Sequence, residues 1–298
     1  MHVFLTGGTG LIGSGVLAAL LARGHSVSAL ARSEASAAAL AAAGARVVRG
    51  DLVDLGILAA GARSADAVIH TALPGDHTNA QVDQDVVETV LRVLAGSGKA
   101  FVHTSGIWTY GSGVLDEQSP FAWSGPTSWR LPLDARVRAS AADGVRGVVI
   151  AAGIVYGAGG GLPALLRSGP RAGDGALCIP GSGEQRWTTV HTADLGRLYV
   201  AALEQAAPAA YYLGVSGDNP TVREIGIAAD LGAGGPGAVR ASVGEEAEAL
   251  FGWLAGPFVQ DQRAFGEKAR AELGWKPTEP TLVEDLAHGS YAGTPVGV

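Results

Sequence analysis

The sequence predicts an α/β fold with a doubly wound parallel sheet and a smaller C-terminal α/β lobe. Three observations support this. A short apolar strand at residues 3–5 breaks into a turn with glycines three residues apart and continues into an amphipathic helix. Four strand–helix units follow in succession, each with a buried strand. With 298 residues, 47% of them hydrophobic, the chain can bury a core large enough for this sheet and an added lobe.

The glycine-spaced turn carries the first functional prediction. Gly7 allows a tight turn, Gly10 lets the backbone approach a pyrophosphate, and Gly13 brings the helix close to the strand. The helix opens at Leu11 and Ile12, and its N-terminal N–H groups and positive dipole favour an anion. Because the triplet follows a strand and opens a helix, the context predicts dinucleotide binding.

Two further residues, each directly following a later strand, indicate which dinucleotide binds. Arg32 follows the second strand, at residues 27–31, where Asp or Glu would bind a ribose 2′-hydroxyl. Arginine pairs instead with a 2′-phosphate, so NADP(H) is favoured over NAD(H); the alternative is a solvated surface arginine. Asp51 either accepts a hydrogen bond from the adenine amino group or caps the following helix.

The carboxyl ends of the parallel strands define where a ligand binds. In open α/β sheets the ligand crevice lies outside these ends. The fourth and fifth strands, at residues 67–69 and 99–102, add their terminal residues to this edge. The residues that we place at the crevice are Thr6, Arg32, Thr71 and Ser105.

The domain organisation follows from the strand pattern. Residues 1–156, completed by about 186–215, form the Rossmann-type dinucleotide-binding domain, and residues 157–185 and 216–298 form the smaller substrate-binding lobe. Residues 186–190 are predicted as a strand that returns to the main sheet. In the lobe, a capping box at 221–224 opens a helix, and a further helix covers residues 263–273.

Composition excludes several partners. A net charge of -7 argues against nucleic acid or an anionic membrane. One cysteine, Cys178, excludes an intramolecular disulfide or cysteine cluster, and the seven histidines are scattered without metal-ligand spacing, so no metal site is predicted. With no basic, apolar leader before Val3 and no long apolar run, we expect a soluble cytoplasmic protein with a small-molecule substrate.

The order of the motifs resembles the extended short-chain dehydrogenases/reductases of the NAD-dependent epimerase/dehydratase group. The motifs are TGGTGLIG (6–13), GDL (50–52), VIHTA (68–72), TS (104–105), YG (110–111), GIVYG (153–157), VHTAD (190–194) and GWKP (274–277). The resemblance implies a Rossmann domain that holds NADP(H), a lobe over the nicotinamide, and a homodimer through helices flanking the sheet. With Arg32, the cofactor-binding residues are then Thr6, Gly7, Gly10, Leu11, Ile12, Gly13, Asp51, Leu52, Thr71, Ala72, Thr104 and Gly153.

The chain departs from this family at the catalytic residues. The family uses a Tyr-x-x-x-Lys pair with a Ser or Thr, but the matching segment here, SWRLPLDAR at 128–136, places Arg130 and Asp134 at the Tyr and Lys positions. No lysine lies between Lys99 and Lys268, so no shift of the alignment restores the pair. Counting back from the Tyr-Gly motif puts Gly106 at the hydroxyl position, and a one-residue slip puts Ser105 there.

A proton donor must therefore be sought elsewhere. Arg130 cannot donate because a guanidinium stays charged at any working pH. The remaining candidates are Tyr110, His103, His77 and Asp134. We interpret His103 as a strand-end histidine bonded to backbone, and Tyr110 either as the donor or as a packing residue.

The substrate wall is predicted to be apolar. Ala151 and Ala152 stand where the family commonly has Arg-Pro, which suggests an apolar or bulky substrate. The loop tryptophans 108, 123, 129 and 187 either face the pocket or pack beneath long loops. In the family an arginine near Arg186 often meets an anionic substrate group, and a structural salt bridge is the alternative. The predicted substrate-contacting residues are His77, Trp108, Trp129, Tyr156 and Arg186.

These features predict an NADP(H)-dependent reductase. Its substrate is a carbonyl, C=N or C=C group of a small, apolar or aromatic metabolite, and its proton donor is non-standard. Loss of the Tyr and Lys residues leaves two alternatives open. One is a non-redox isomerase, cyclase or lyase on a reductase scaffold, and the other is a non-catalytic NADP(H)-binding sensor.

Overall fold

The computed structural model describes residues 1–292; residues 293–298, the end of the predicted lobe, lie outside the described part. The strands are β1 (His2–Thr6), β2 (Ser26–Ala31), β3 (Arg46–Arg49), β4 (Ala67–His70), β5 (Ala100–Gly106), β6 (Gly113–Leu115), β7 (Arg146–Ala152), β8 (Ile154–Tyr156), β9 (Leu177–Pro180), β10 (Thr189–His191), β11 (Tyr211–Gly214), β12 (Val239–Ser242) and β13 (Gln262–Ala264). The α-helices are α1 (Leu11–Ala22), α2 (Glu34–Ala42), α3 (Leu55–Ser64), α4 (Asn79–Leu94), α5 (Arg130–Ala139), α6 (Gly161–Arg167), α7 (Thr192–Gln205), α8 (Val222–Gly232), α9 (Gly244–Phe251), α10 (Ala255–Phe258), α11 (Glu267–Leu273) and α12 (Leu282–His288). Short 3₁₀ turns cover Ile107–Tyr110, Ser140–Asp143 and Gly252–Leu254.

The main sheet confirms the predicted fold class. Within residues 1–292 it contains seven strands in the order β11-β7-β5-β4-β1-β2-β3, and every neighbouring pair is parallel. The central strands are apolar on both faces because helices cover both sides, as expected for a parallel sheet. The carboxyl ends of β1, β4, β5 and β7 therefore lie along one edge.

Two helical layers enclose the sheet. Helices α1, α7 and α11 bury their apolar side chains in the core on one face, and α3, α4 and α5 bury theirs on the other. Helices α1 and α7 approach closely because both carry glycine at the crossing. A Cβ atom on Gly15 would lie 2.4 Å from the carbonyl oxygen of Thr192, and one on Gly196 would lie 2.3 Å from that of Gly15. This packing fixes α1, and with it the glycine turn, against the sheet.

Two sequence predictions about the second half were wrong. Residues 186–190 do not return to the main sheet: β10 pairs with β8 in a separate two-stranded sheet. The edge of the main sheet beside β7 is taken instead by β11. The helix predicted for residues 263–273 begins only at Glu267. Residues 262–264 form a strand instead, and Gly266 adopts a left-handed conformation with a φ of 65° that separates this strand from the helix.

The lobe has its own core beneath α6, α8 and α12. Its α8 begins with the predicted capping box, in which Thr221 and Glu224 cap each other's backbone. Leu273 and Trp275, which the sequence assigns to the lobe, pack in the main-sheet core against α7. The exact division into two domains stays a prediction, as do the homodimer and the cytoplasmic location.

Among the helices of the described residues, none is long and apolar enough to cross a membrane.

Candidate active site

The three glycines of the first turn have different surroundings. Gly7 has a φ of +79°, and a Cβ there would lie 2.7 Å from Oγ1 of Thr71. A Cβ on Gly13 would lie 2.0 Å from the carbonyl oxygen of Gly7, so the helix packs directly on the turn. Gly10 has an ordinary extended backbone, and the nearest protein atom to its Cβ would be 3.4 Å away. The fold therefore requires Gly7 and Gly13, whereas nothing in the protein excludes a side chain at Gly10.

One end of the crevice is a cavity of about 270 Å³ that we call the Arg32 cavity. Gly7, Gly10, Arg32, Ser36, Asp51, Leu52, Thr71 and Ala72 are among its lining residues. The Arg32 guanidinium is exposed and makes no ion pair within residues 1–292. Asp51 does not cap α3, because the N-cap residue of that helix is Asp54. Instead, Oδ1 of Asp51 accepts a hydrogen bond from the N–H of Leu52. Ser36 also lines this cavity but was not predicted from the sequence. Its position in the first turn of the helix after Arg32 could have indicated that it lies near the ligand.

The other end is a cavity of about 420 Å³ that we call the Arg130 cavity. It shares Gly10 and Thr71 with the Arg32 cavity, so the two lie on either side of the glycine turn. Arg130 is the charged member of its lining, which is otherwise small, apolar or hydroxylic. The lining includes Leu11, Ile12, Thr104, Ser105, Ile107, Trp108, Thr127, Ala152, Gly153 and Leu162.

The end of β5 connects the Arg130 cavity to both helical layers. Successive strand residues face opposite sides, so Thr104 bonds Tyr199 of α7 at 2.6 Å, whereas Ser105 donates to Oδ2 of Asp134 in α5 at 2.6 Å. Arg130, also in α5, donates from Nη1 to the carbonyl oxygen of Thr104 at 3.0 Å. The two residues predicted at the Tyr and Lys positions thus have separate places. Arg130 lines the cavity, and Asp134 lies buried behind Ser105.

A buried group of polar side chains lies on the α4 side of the sheet. His70 of β4 and His103 of β5 are register partners, and their imidazoles both bond Asp83 of α4, at 2.9 and 3.1 Å. The other nitrogen of His70 bonds the hydroxyl of Thr6. The prediction that the histidines are scattered was therefore wrong for this pair, and His103 bonds a carboxylate rather than backbone. Each histidine directly follows one of two neighbouring predicted strands, and this feature of the sequence could have predicted that they lie side by side.

The same three side chains have the ligand types of a metal site. The ligand atoms of His70, Asp83 and His103 lie within 4.8 Å of one another, and all three residues are buried. Their mutual distances are those of hydrogen bonds, and Thr6 occupies the remaining nitrogen of His70. We interpret the group as a hydrogen-bonded chain.

Burial and charge set the protonation of this group. Burial lowers the pKa of His103, but the carboxylates of Asp83 and Asp134 outweigh burial and raise it to about 9. For His70, burial outweighs the attraction of Asp83, so the pKa falls below its usual value. Burial raises the pKa of Asp83, yet the two imidazoles hold it well below its usual range. At neutral pH the proton therefore resides on His103.

Several predicted site residues are not brought to the Arg130 cavity. Tyr110 is 1% exposed in the core, and its hydroxyl finds no hydrogen-bond partner among the described residues. Tyr156 donates to the carbonyl of Pro280 inside the lobe, and Arg186 donates to that of Asn219. His77 lies on an exposed turn before α4. The roles predicted for these residues have no geometric support in this cavity.

Of the four loop tryptophans, Trp108 lines the Arg130 cavity. Trp129, a predicted substrate-contacting residue, is not part of this lining; its ring centroid lies 4.6 Å from the guanidinium carbon of Arg130, in a cation–π contact. Trp187 is 2% exposed and donates to the carbonyl of Phe258, so it packs in the lobe core as the alternative interpretation had it.

A larger groove of about 790 Å³ lies between α1 and α7. Its lining includes five alanines together with Arg23, Arg197 and Glu204, and no strand end contributes to it within residues 1–292. Because ligands of parallel sheets bind at the strand ends, we place the functional site at the Arg32 and Arg130 cavities.

Comparison with known proteins decides the family. The model of the NAD dependent epimerase/dehydratase family matches residues 3–214, which span β1 to β11 and both cavities. The chain belongs to this family. Membership of this family explains why the glycine turn and the parallel sheet occur together in the chain.

Two relatives in sequence extend over nearly the whole chain. An uncharacterised protein of Schizosaccharomyces pombe is 33% identical over 98% of this chain and 100% of its own length. A 3-diazoavenalumate denitrifying reductase of a Streptomyces species is 30% identical over 96% of this chain and 99% of its own length. This epimerase/dehydratase family member is thus similar to a protein named as a reductase.

Solved structures show the same fold. A UDP-glucose 4-epimerase of Thermus thermophilus in complex with NAD has a TM-score of 0.78 at 19% identity, covering 99% of this chain and 100% of its own. A human epimerase family protein with NADPH has a TM-score of 0.74 at 24% identity, covering 97% and 99%. The first of these two proteins was solved with NAD and the second with NADPH, and both share the fold of this chain.

Proposed function

We propose that this family member is an NADP(H)-dependent reductase. Its substrate is a small, apolar or aromatic metabolite with a carbonyl, C=N or C=C group. The observation that carries the proposal is the crevice itself. The Arg32 and Arg130 cavities meet at Gly10 and Thr71, so one extended ligand can cross the glycine turn and reach both.

The fit of a dinucleotide rests on Gly10. A Cβ at Gly10 would make only an ordinary contact, 3.4 Å from the carbonyl oxygen of Gly7, and its backbone angles suit any residue. A requirement for glycine there would come from a ligand, and a pyrophosphate on the N-terminus of α1 would impose it. Thr71, Leu11 and Ile12 would flank that group.

The preference for NADP(H) rests on Arg32. Its guanidinium lies at the lining of the Arg32 cavity and has no carboxylate partner among the described residues. A 2′-phosphate would supply that partner through a charge-assisted hydrogen bond. Ser36, which shares the lining, would add a hydroxyl donor, and Asp51 would accept from the adenine amino group.

The chemistry rests on Arg130. When bound, NADPH supplies a hydride. Negative charge then develops on the substrate heteroatom, and Arg130 is the cation in the Arg130 cavity that can stabilise it. Trp129 and the carbonyl of Thr104 fix the guanidinium, so little reorganisation is needed as the charge forms. Arg130 stabilises this charge without giving up a proton.

The remaining lining supports the substrate class. Trp108, Ile107, Leu162 and Ala152 offer apolar and aromatic contacts, and Arg130 offers one anion-binding group. A small aromatic or apolar carbonyl compound matches this set. The reductase name of the Streptomyces relative supports the proposal that this protein reduces a metabolite.

The residues of α5 also favour a second candidate function. With Arg130 and Asp134 at the predicted Tyr and Lys positions, a non-redox isomerase, cyclase or lyase would use the same cavity with a dinucleotide as a structural group. A non-catalytic NADP(H)-binding sensor could have the same residues at these two positions. Both would bind NADPH without oxidising it.

The first experiment is a fluorescence titration with NADPH and with NADH, using the six tryptophans as donors. We expect both to bind and NADPH to bind more tightly. Loss of NADPH absorbance with a panel of aromatic aldehydes, ketones and imines then tests the reaction. Binding without oxidation of NADPH by any acceptor would favour the second candidate, and no binding of either dinucleotide would reject the proposal.

A further inference from the structure

Behind the Arg130 cavity, a chain of buried polar groups reaches from Ser105 into the core. Ser105 donates to Oδ2 of Asp134 at 2.6 Å, and the other oxygen, Oδ1, lies 3.6 Å from Nδ1 of His103. Neither Oδ1 nor Nδ1 has a hydrogen-bond partner among the described residues. A movement of about half an ångström would join them, because a hydrogen bond needs about 3 Å.

The far side of His103 is anchored. Its Nε2 bonds both oxygens of Asp83, at 3.1 and 3.3 Å, and Asp83 also accepts from His70. Nδ1 is therefore the nitrogen of His103 that points towards Asp134. The geometry leaves a route from the imidazole through the Asp134 carboxylate to the hydroxyl of Ser105, a residue of the cavity lining, with one step of 3.6 Å between Nδ1 and Oδ1 still to close.

We propose, building on the reductase function, that Ser105 protonates the reduced substrate and that Asp134 and His103 are positioning residues that resupply its proton. Hydride adds to the carbon of a carbonyl group, and the electron pair of the double bond moves to oxygen. Nδ1 of His103 passes its proton to Oδ1 of the Asp134 carboxylate, and Oδ2 of Asp134 releases its hold on the Ser105 hydroxyl. That hydroxyl gives its proton to the substrate oxygen while it takes one from Asp134, so Asp134 and Ser105 end as they began and His103 is left neutral. NADPH is oxidised, the carbonyl is reduced, and His103 regains one proton from water after product release.

The surroundings of His103 suit a proton store. It faces Asp83 from α4, His70 from β4 and Asp134 from α5, and the hydroxyls of Tyr110 and Tyr211 lie near Asp134. Burial raises the pKa of both tyrosines, so they stay neutral. The two carboxylates keep His103 charged at neutral pH despite complete burial. At neutral pH this group of side chains therefore holds a proton on His103, next to Asp134 and behind the cavity.

The primary test needs no substrate. In ¹⁵N-histidine-labelled full-length protein, NMR measures exchange of the His103 Nδ1 proton with water, with His103→Gln to assign the signal. Ser105→Ala and Asp134→Asn should each slow this exchange by about tenfold or more, because each removes a transfer group. Ser105→Thr, which keeps a hydroxyl, should restore it. His25→Gln removes a histidine that bonds Glu204 far from the cavity and should leave the signal unchanged.

Three results would overturn the proton route. These are unchanged exchange in Ser105→Ala, a His103 without an Nδ1 proton at neutral pH, and a stoichiometric metal ion on the histidines of the purified protein. Circular dichroism and NADPH binding, which should match the wild type, show that each variant is folded. Should Asp134→Asn fail to fold, the Ser105→Ala and Ser105→Thr pair still decides.

A kinetic test separates this proposal from the reductase function. Nitrobenzaldehyde needs a proton after hydride addition, whereas N-methyl dihydroisoquinolinium, a cationic acceptor, becomes neutral without one. Ser105→Ala should lower aldehyde reduction by about a hundredfold and leave iminium reduction within about twofold of wild type. Equal loss with both acceptors would contradict the proton role. Failure of the wild-type protein to reduce either acceptor counts against the reductase function, while the exchange measurement still decides the proton route.

Discussion

The guanidinium of Arg130 donates a hydrogen bond from Nη1 to the backbone carbonyl of Thr104, at 3.0 Å, across the opening between α5 and the end of β5. This contact holds a permanent positive charge at the lining of the Arg130 cavity. The cavity therefore contains a fixed positive charge on the residue that the sequence alignment places at the family's tyrosine position.

Arg130→Gln should lower turnover of an aldehyde by about a hundredfold, because the charge that faces the developing oxyanion is lost. NADPH affinity should stay within about twofold. Arg130→Lys keeps the charge but not the planar fork, so it should recover part of the activity. Steady-state rates and the fluorescence titration check these outcomes. Full activity in Arg130→Gln would mean that the arginine only supports the loop.

Gly10 and Gly13 provide a matched pair in one turn. Gly10→Val should fold with a loss of about 1 kcal/mol of stability, because Gly10 is the N-cap of α1 and valine is a poor cap, but it should fail to bind NADPH, because its side chain would occupy the pyrophosphate position. Gly13→Ala should lose about 1–3 kcal/mol of stability, because its Cβ would clash with the carbonyl of Gly7. Urea unfolding and NADPH titration of both variants separate the two effects. Normal NADPH binding by Gly10→Val would remove the dinucleotide interpretation.

Arg32→Asp should weaken NADPH binding more than NADH binding. A charge-assisted hydrogen bond to the 2′-phosphate contributes about 1.5–3 kcal/mol, which is roughly a tenfold to hundredfold change in Kd. Arg49→Asp serves as the control, because Arg49 is engaged with Glu34 on the neighbouring helix. If Arg32→Asp weakens both dinucleotides equally, the arginine does not bind the 2′-phosphate.

Tyr110→Phe should keep wild-type activity. The phenol is buried, it lies outside the lining of the Arg130 cavity, and burial raises its pKa to about 12. Because the hydroxyl finds no partner within the described part of the chain, its removal should change stability by no more than about 1 kcal/mol. A large loss of turnover would restore Tyr110 as the proton donor and contradict the route through Ser105.

The stability of the fold should depend on pH through His103. The two carboxylates raise the pKa of His103 to about 9 in the folded protein, whereas a histidine in the unfolded chain has its ordinary pKa of about 6.5. The stabilisation is therefore complete below about pH 6.5 and is lost as the pH rises through about 9, by about 3 kcal/mol in all. Urea unfolding between these pH values measures the loss. His103→Gln should flatten this part of the profile, while His25→Gln should not.

Local sequence was sufficient to predict the glycine turn at which the two cavities meet. The strand, the glycine turn and α1 are adjacent in the chain, so their spacing specifies a local structure that needs little help from distant residues. Likewise, the succession of strands and helices was enough to predict a parallel sheet, and four residues were enough to predict the capping box at Thr221.

The surroundings of the Arg130 cavity depend on tertiary contacts. Asp83 lies 13 and 20 residues from the histidines that it bonds, and Asp134 lies 29 residues from Ser105, so no local pattern indicates these contacts. The burial of Tyr110 and the pairing of β10 with β8 likewise depend on which elements pack together. Periodicity shows which face of an element is apolar, but the neighbour that covers this face is chosen by the packing of the whole chain.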